Sequence, residues 1–142
     1  MEVQRQAGSG ETGARVLIVE DHPMIAELVE TRLRIEGMRP TKCLGGREAI
    51  QVLAHADFDL VILDIMMPEV DGYQVFKVLK SQERTAHVPV IFLTAKSMQD
   101  DIEKGLALGA DYYITKPFSG ADLVRKVTIL LEQHRVGQAA GA

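Results

Sequence analysis

The sequence predicts a doubly wound α/β fold: one parallel sheet of five strands with helices on both faces. Three observations carry the prediction. Short β-branched runs without helical period alternate with longer stretches whose apolar residues recur three or four apart. Two of the runs, Val16-Leu17-Ile18-Val19 and Leu60-Val61-Ile62-Leu63, are apolar at every position, as expected of strands covered on both faces. Reactive residues directly follow four of the five runs, at the carboxyl edge where such sheets place their crevice.

The elements follow in order. Arg15 to Val19 is expected as the first strand, and Ile25, Leu28, Val29 and Leu33 as the stripe of a first helix that Gly37 is placed to stop. Arg39 to Leu44 reads as the second strand, and Ile50 with Leu53 as a short second helix. Leu60 to Leu63 is the third strand, followed by a helix marked by Val75, Phe76 and Leu79. Val90 to Leu93 is the fourth strand, and Ile102 and Leu106 mark a fourth helix ending near Gly109. Tyr112 to Thr115 completes the sheet. Leu123, Val127, Leu130 and Leu131 line a fifth helix, with Ser119 or Asp122 as its cap. The two wholly apolar runs should be the central strands, and right-handed crossovers join the units.

The chain of 142 residues is near the commonest size for one domain, and 46% hydrophobic with 25% charged residues excludes a disordered polymer. Sixteen basic against 20 acidic residues leave a net charge of -4, without the positive field that direct nucleic-acid binding requires. No apolar run approaches the roughly 20 residues that cross a bilayer, and Met1 to Ala14 lacks an apolar signal core, so the expected location is cytoplasmic. Cys43 is the only cysteine, which excludes an internal disulfide and reads as a small buried hydrophobe. Gly8, Gly10 and Gly13 have the spacing of a dinucleotide fingerprint but precede the first strand, whereas phosphate binding needs them between strand and helix. They read as a flexible lead-in.

The chemistry lies at the strand ends: Glu20 and Asp21 after the first, Asp64 after the third, Thr94 after the fourth and Lys116 after the fifth. The second ends without a reactive group, in Leu44-Gly45-Gly46. Singly, such residues serve as helix caps or solvated lysines. Together they converge on one edge of the sheet. Three carboxylates and one ammonium sum to -2, and like charges about 4 Å apart repel by on the order of 4 kcal/mol at an effective dielectric of 20, so a divalent cation is needed. A hard cation on oxygen ligands points to Mg²⁺. His22, beside Asp21 at the head of a helix, reads as a surface residue rather than a ligand. A phosphoryl group would complete the site, its oxygens neutralised by Mg²⁺ and Lys116 and hydrogen-bonded by Thr94, with a carboxylate as nucleophile. Asp64 is the best candidate nucleophile, because it ends a central strand beside the topological switch point. Met66-Met67-Pro68 then carries the chain away so that a backbone carbonyl could face the metal.

These residues give the chain a family resemblance. Val16-Leu17-Ile18-Val19-Glu20-Asp21, Asp64-Ile65-Met66-Met67-Pro68 with Asp71-Gly72-Tyr73, Thr94-Ala95, and Gly109-Ala110-Asp111-Tyr112-Tyr113-Ile114-Thr115-Lys116-Pro117-Phe118 resemble the receiver domain of bacterial two-component response regulators, of the chemotaxis-regulator kind. The resemblance implies a flavodoxin-like (βα)5 sheet of order 2-1-3-4-5. It makes Asp64 the phospho-acceptor. Asp21, Asp64 and the Met66 carbonyl would ligate Mg²⁺, with Glu20, in place of the commoner aspartate, acting through water. Lys116 would contact the phosphoryl group, and the Lys116-Pro117 bond would be cis. Thr94 and Tyr113 match the family's switch pair, which remodels the face formed by helix four, strand five and helix five. Met66 and Lys96 match positions that flank the path of attacking water and tune the dephosphorylation rate.

On this reading residues 15 to 135 form the receiver, between flexible tails at 1 to 14 and 136 to 142. The implied partner is a sensor histidine kinase or a histidine phosphotransfer protein. Output would pass to a downstream protein target, to an output domain absent from this sequence, or through a phosphorylation-dependent dimer. The chain would catalyse only its own aspartyl phosphorylation and autodephosphorylation. Two rival readings exist. An aspartyl-nucleophile, Mg²⁺-dependent phosphatase of the haloacid-dehalogenase type needs a general acid two residues after the nucleophile, where this chain has Met66. A receiver-like interaction module that never uses phosphate would not need the complete acceptor, acid, hydroxyl and lysine set.

Overall fold

The apolar runs pair as parallel strands in the order β2-β1-β3-β4-β5. A computed structural model describes residues 13–95 and 99–141, apart from the side chains of 99, 101, 102 and 135–141. Along the chain the elements are β1 Arg15–Val19, α1 Pro23–Ile35, β2 Arg39–Cys43, α2 Gly46–Leu53, β3 Leu60–Asp64, α3 Gly72–Ser81, β4 Val90–Ala95, α4 Gln99–Ala107, β5 Tyr112–Lys116 and α5 Gly120–Gly141. The expected doubly wound flavodoxin-like sheet is therefore present, with β1 and β3 in its interior.

Alternation along the strands divides the core in two. Leu17, Val19, Val61, Leu63, Val90 and Phe92 pack with Ala49 and Leu53 of α2 and Val75, Phe76 and Leu79 of α3. The intervening residues Val16, Ile18, Leu60, Ile62, Ile91, Leu93 and Ile114 pack with Val29 and Leu33 of α1 and Leu123, Val127 and Leu130 of α5. Successive side chains of one strand enter opposite layers, which is why the central runs are apolar at every position. Gly37, at φ 84°, takes the left-handed conformation that ends α1.

Several expectations change, and Leu106 of the expected fourth-helix stripe is exposed. Leu28 is 59% exposed, and the buried face of α1 is Ala26, Val29 and Leu33. At 100° per residue, Met24, Leu28 and Ile35 fall on the opposite side of the helix from that face. The second strand stops at Cys43, because the Leu44 N–H leaves the ladder and donates to Glu48 Oε1 at 3.0 Å at the start of α2. α5 continues through Gly141, past the expected receiver boundary at residue 135. An interior glycine such as Gly137 costs about 1 kcal/mol, too little to stop a helix already packed over its first turns. Of the glycine-rich lead-in, Gly8 and Gly10 lie outside the described residues, and so does Lys96.

Caps fix the helix starts near the crevice. Ser119 caps α5, its Oγ accepting the Asp122 N–H at 3.0 Å. Asp71 forms a capping box on α3: its Oδ1 accepts the Gln74 N–H at 3.0 Å, and Gln74 Oε1 accepts the Asp71 N–H at 2.8 Å.

Candidate functional site

Register brings the strand ends level. Val19 lies opposite Leu63, Asp64 opposite Leu93, Thr94 opposite Thr115 and Ala95 opposite Lys116. Glu20 and Asp21 follow β1 directly, Asp64 is the last residue of β3, and Lys116 is the last of β5. One carboxylate oxygen from each of Glu20, Asp21 and Asp64 lies within 4.8 Å of the others. Lys116 Nζ is 2.8 Å from Glu20 Oε1 and 3.3 Å from Asp64 Oδ1. None of these acids caps a helix through its own N-cap position, so the convergence has a cause other than capping.

Glu20 is held from both sides. Its N–H donates to the Cys43 carbonyl at 3.0 Å, and its Oε2 accepts the His22 N–H at 3.0 Å where α1 begins. Its other oxygen, Oε1, is buried and makes no hydrogen bond of acceptable geometry; its contact with Lys116 is an ion pair. A buried anion with an unfilled lone pair is costly unless a cation completes it.

Titration reflects the same shortage of positive charge. Burial, reinforced by the charge of Glu20, pushes the Asp64 carboxyl up to about 8, with Lys116 pulling the other way. For Lys116, burial pulls the ammonium down, but its close contacts with the Glu20 and Asp64 carboxylates outweigh it and hold the group above its ordinary range. Lys116 alone therefore does not offset what burial and Glu20 do to the Asp64 carboxyl. An all-oxygen donor set with one unsatisfied buried oxygen fits a hard divalent cation such as Mg²⁺. Histidine and cysteine take no part in it. His22 is exposed, and Cys43 is a buried thiol pushed up to about 12 by burial and by Glu48.

The loop from β3 to α3 is shaped around this edge. The Gly72 N–H donates to the Ile65 carbonyl at 2.9 Å, and a Cβ on Gly72 would overlap the Asp64 carbonyl and come 2.8 Å from Ile65 Cα. Only glycine lets α3 start directly on the backbone that carries Asp64. Glu69 takes the left-handed region at φ 67°, a strained conformation at the turn of the loop. Met66 leaves its side chain 58% exposed.

The remaining predicted residues divide. Thr94 is buried in β4 at the same edge, with its hydroxyl directed to the Ala95 carbonyl at 3.4 Å rather than to Asp64. Tyr113, in β5 opposite Phe92, is 37% exposed. The Lys116-Pro117 bond is cis. For Asp71 and Gly72 the family resemblance by itself assigns no role. Their work here is the capping box and the close approach, and Asp71-x-x-Gln74 ahead of Val75 and Phe76 was the legible signal for the first.

The response regulator receiver domain family model matches residues 16–128. The response regulator SaeR of Staphylococcus aureus is 43% identical over 120 residues, covering 84% of this chain and 51% of its own. The chain thus spans about half the length of the curated relatives it matches. The signal receiver domain of a signal transduction histidine kinase from Syntrophus aciditrophicus is 39% identical with a TM-score of 0.78, covering 84% of this chain and 91% of that one. The receiver domain of the sensor histidine kinase PA1611 from Pseudomonas aeruginosa PAO1, solved with a magnesium ion coordinated in its active-site cleft, is 33% identical with a TM-score of 0.78, covering 85% and 99%.

Proposed function

The chain belongs to the response regulator receiver family of two-component systems, and on that footing we propose that it accepts a phosphoryl group on Asp64 from a phosphohistidine of a partner kinase or phosphotransfer protein. The observation that carries this reading is the convergence of three carboxylates within 4.8 Å with Lys116 in contact with two of them. Asp64 supplies the nucleophilic oxygen: its bond to phosphorus forms as the phosphorus-to-histidine-nitrogen bond breaks. Lys116 is placed to meet a phosphoryl oxygen beside Asp64 Oδ1. Glu20, Asp21 and Asp64, with the Met66 carbonyl, would hold Mg²⁺, which when bound supplies positive charge against the phosphoryl oxygens and keeps Asp64 ionised.

The new oxygens on Asp64 give the Thr94 hydroxyl a stronger acceptor than the Ala95 carbonyl. Its rotation vacates space that the exposed ring of Tyr113 fills, remodelling the α4, β5 and α5 face toward a downstream protein target or a phosphorylation-dependent second copy. Met66 partly shields the acyl phosphate from water, and Lys96 acts with it. The chain is not an enzyme toward other substrates, because no acid stands at position 66 to protonate a leaving group. Among the described residues no helix is long and apolar enough to cross a membrane, which fits a cytoplasmic setting beside the kinase.

The test is intact-mass measurement after incubation with Mg²⁺ and a small acyl-phosphate donor. One added phosphate, lost in Asp64→Asn, is the expected result. No gain with the donor or with a cognate kinase overturns the reading in favour of a phosphate-independent module, and rapid hydrolysis of a generic phosphate ester overturns it in favour of a phosphatase.

A further inference from the structure

Among its described side chains α4 buries only Gly105. Leu106, and Leu108 just beyond the helix, are both exposed. Two adjacent residues of α4 make specific contacts with the aromatic residues beneath it. Gly105 lies directly on the ring of Phe92, where a Cβ would come 2.7 Å from Cδ2. Lys104 places its ammonium 4.5 Å from the centroid of the Tyr73 ring. That ring meets Phe92 edge-on at 5.7 Å and 69°, and Phe92 also touches Phe76 at 5.3 Å.

Tyr73 ties this cluster to the chemistry. It follows Gly72, whose N–H is bonded to Ile65 and which rests on the backbone of Asp64 and Ile65. Phe92 is two residues before Thr94 in β4 and opposite Tyr113 in β5. The Phe92 ring therefore touches both the α3 start that rides on the acceptor backbone and α4, the helix that belongs to the proposed switch face.

We propose that Lys104 is a latch: its cation on the face of Tyr73 holds α4 to the N-terminus of α3 and couples the seat of α4 to the Asp64 strand end, as a second route beside the Thr94 and Tyr113 pair. Lys104 is a positioning residue, since it touches neither Asp64 nor the acids around it. A cation over a tyrosine face is attracted by the ring quadrupole, an interaction that an apolar side chain of equal length does not make and that arginine retains. The latch holds α4 in the unphosphorylated arrangement, and its release belongs to the switch. That last step rests on the phospho-acceptor reading, whereas the contact itself does not.

Hydrogen exchange by mass spectrometry on the full chain separates the two. In the unphosphorylated protein, Lys104→Met should speed amide exchange in α4 by about two- to five-fold, the factor corresponding to an exposed cation–π contact, while Lys104→Arg stays near the parent. Tyr73→Leu should match Lys104→Met. With Mg²⁺ and an acyl-phosphate donor, Lys104→Met should take up phosphate as the parent does, with a smaller difference in α4 exchange between the two states. Unchanged exchange in Lys104→Met, or failure of Lys104→Arg to restore it, overturns the latch. A parent that takes up no phosphate overturns the function proposed above and leaves the exchange comparison standing.

Discussion

α1 and α4 each follow a strand that delivers site residues, yet they sit on the sheet differently. α1 buries Ala26, Val29 and Leu33, the last two in one cluster with Val16, Ile18 and Ile62, while among the described residues of α4 only Gly105 is buried. β1 leads into α1 through Glu20 and Asp21, the two acids that must stay fixed if a cation is to bind. β4 leads toward α4 through Thr94, the hydroxyl assigned to the switch. Local opening costs less where few apolar contacts hold an element. The difference teaches that the loop carrying Glu20 and Asp21 leads into a helix seated by three buried residues, whereas the described side chains of the helix beyond Thr94 are exposed apart from Gly105.

The largest expected effect tests the expensive side. Leu33→Ala removes a wholly buried side chain from the α1 layer and should destabilise the protein by about 2–5 kcal/mol. Urea denaturation measures it, and a loss below about 1 kcal/mol would remove the basis for treating α1 as the anchored helix.

The acids come next. In metal-free protein Asp64 titrates near 8 against an ordinary 3.8, so between these values the folded chain keeps a proton that the unfolded chain has released. The stability this gives is fully present below about pH 3.8 and is lost as the pH rises through about 8. Thermal melts in chelator should therefore fall across that window, and Asp64→Asn should flatten the fall. Mg²⁺ at about 100 times its Kd should then restore about 2.7 kcal/mol at the upper end. Melts that rise with pH in chelator, or that ignore Mg²⁺, contradict the electrostatics of the site.

The smallest effect lies on α4 itself. Leu106→Ser replaces an exposed apolar residue and should change stability by no more than about 0.5 kcal/mol. A loss comparable to that of Leu33→Ala, read by the same urea titration, would erase the contrast between the two helices.

Much of this was legible in one dimension. The strands at Val16 to Val19 and Leu60 to Leu63 announced themselves because burial on both faces demands unbroken apolar runs, and parallel strands send the residue after each run to a common edge. Glu20, Asp21, Asp64 and Lys116 were found by that argument, and the structure brings them together. Leu28 was misplaced because a stripe of apolar residues three and four apart can be read with two phases, and only the packed sheet selects one. Gly72 was seen as part of a pattern while its reason, the approach of α3 to the Asp64 backbone, was not.

The order of apolar and polar residues thus dictated the strands, the helices and the residue types that crown the sheet, since backbone periodicity and chain direction are local properties. Tertiary packing alone decided that Lys116 sits nearer Glu20 than Asp64, that Glu20 Oε1 is left without a hydrogen bond, and that Lys104 lies over Tyr73. Those pairings join residues 31 to 96 positions apart. They depend on the angles and heights at which helices cross the sheet, which no local pattern encodes.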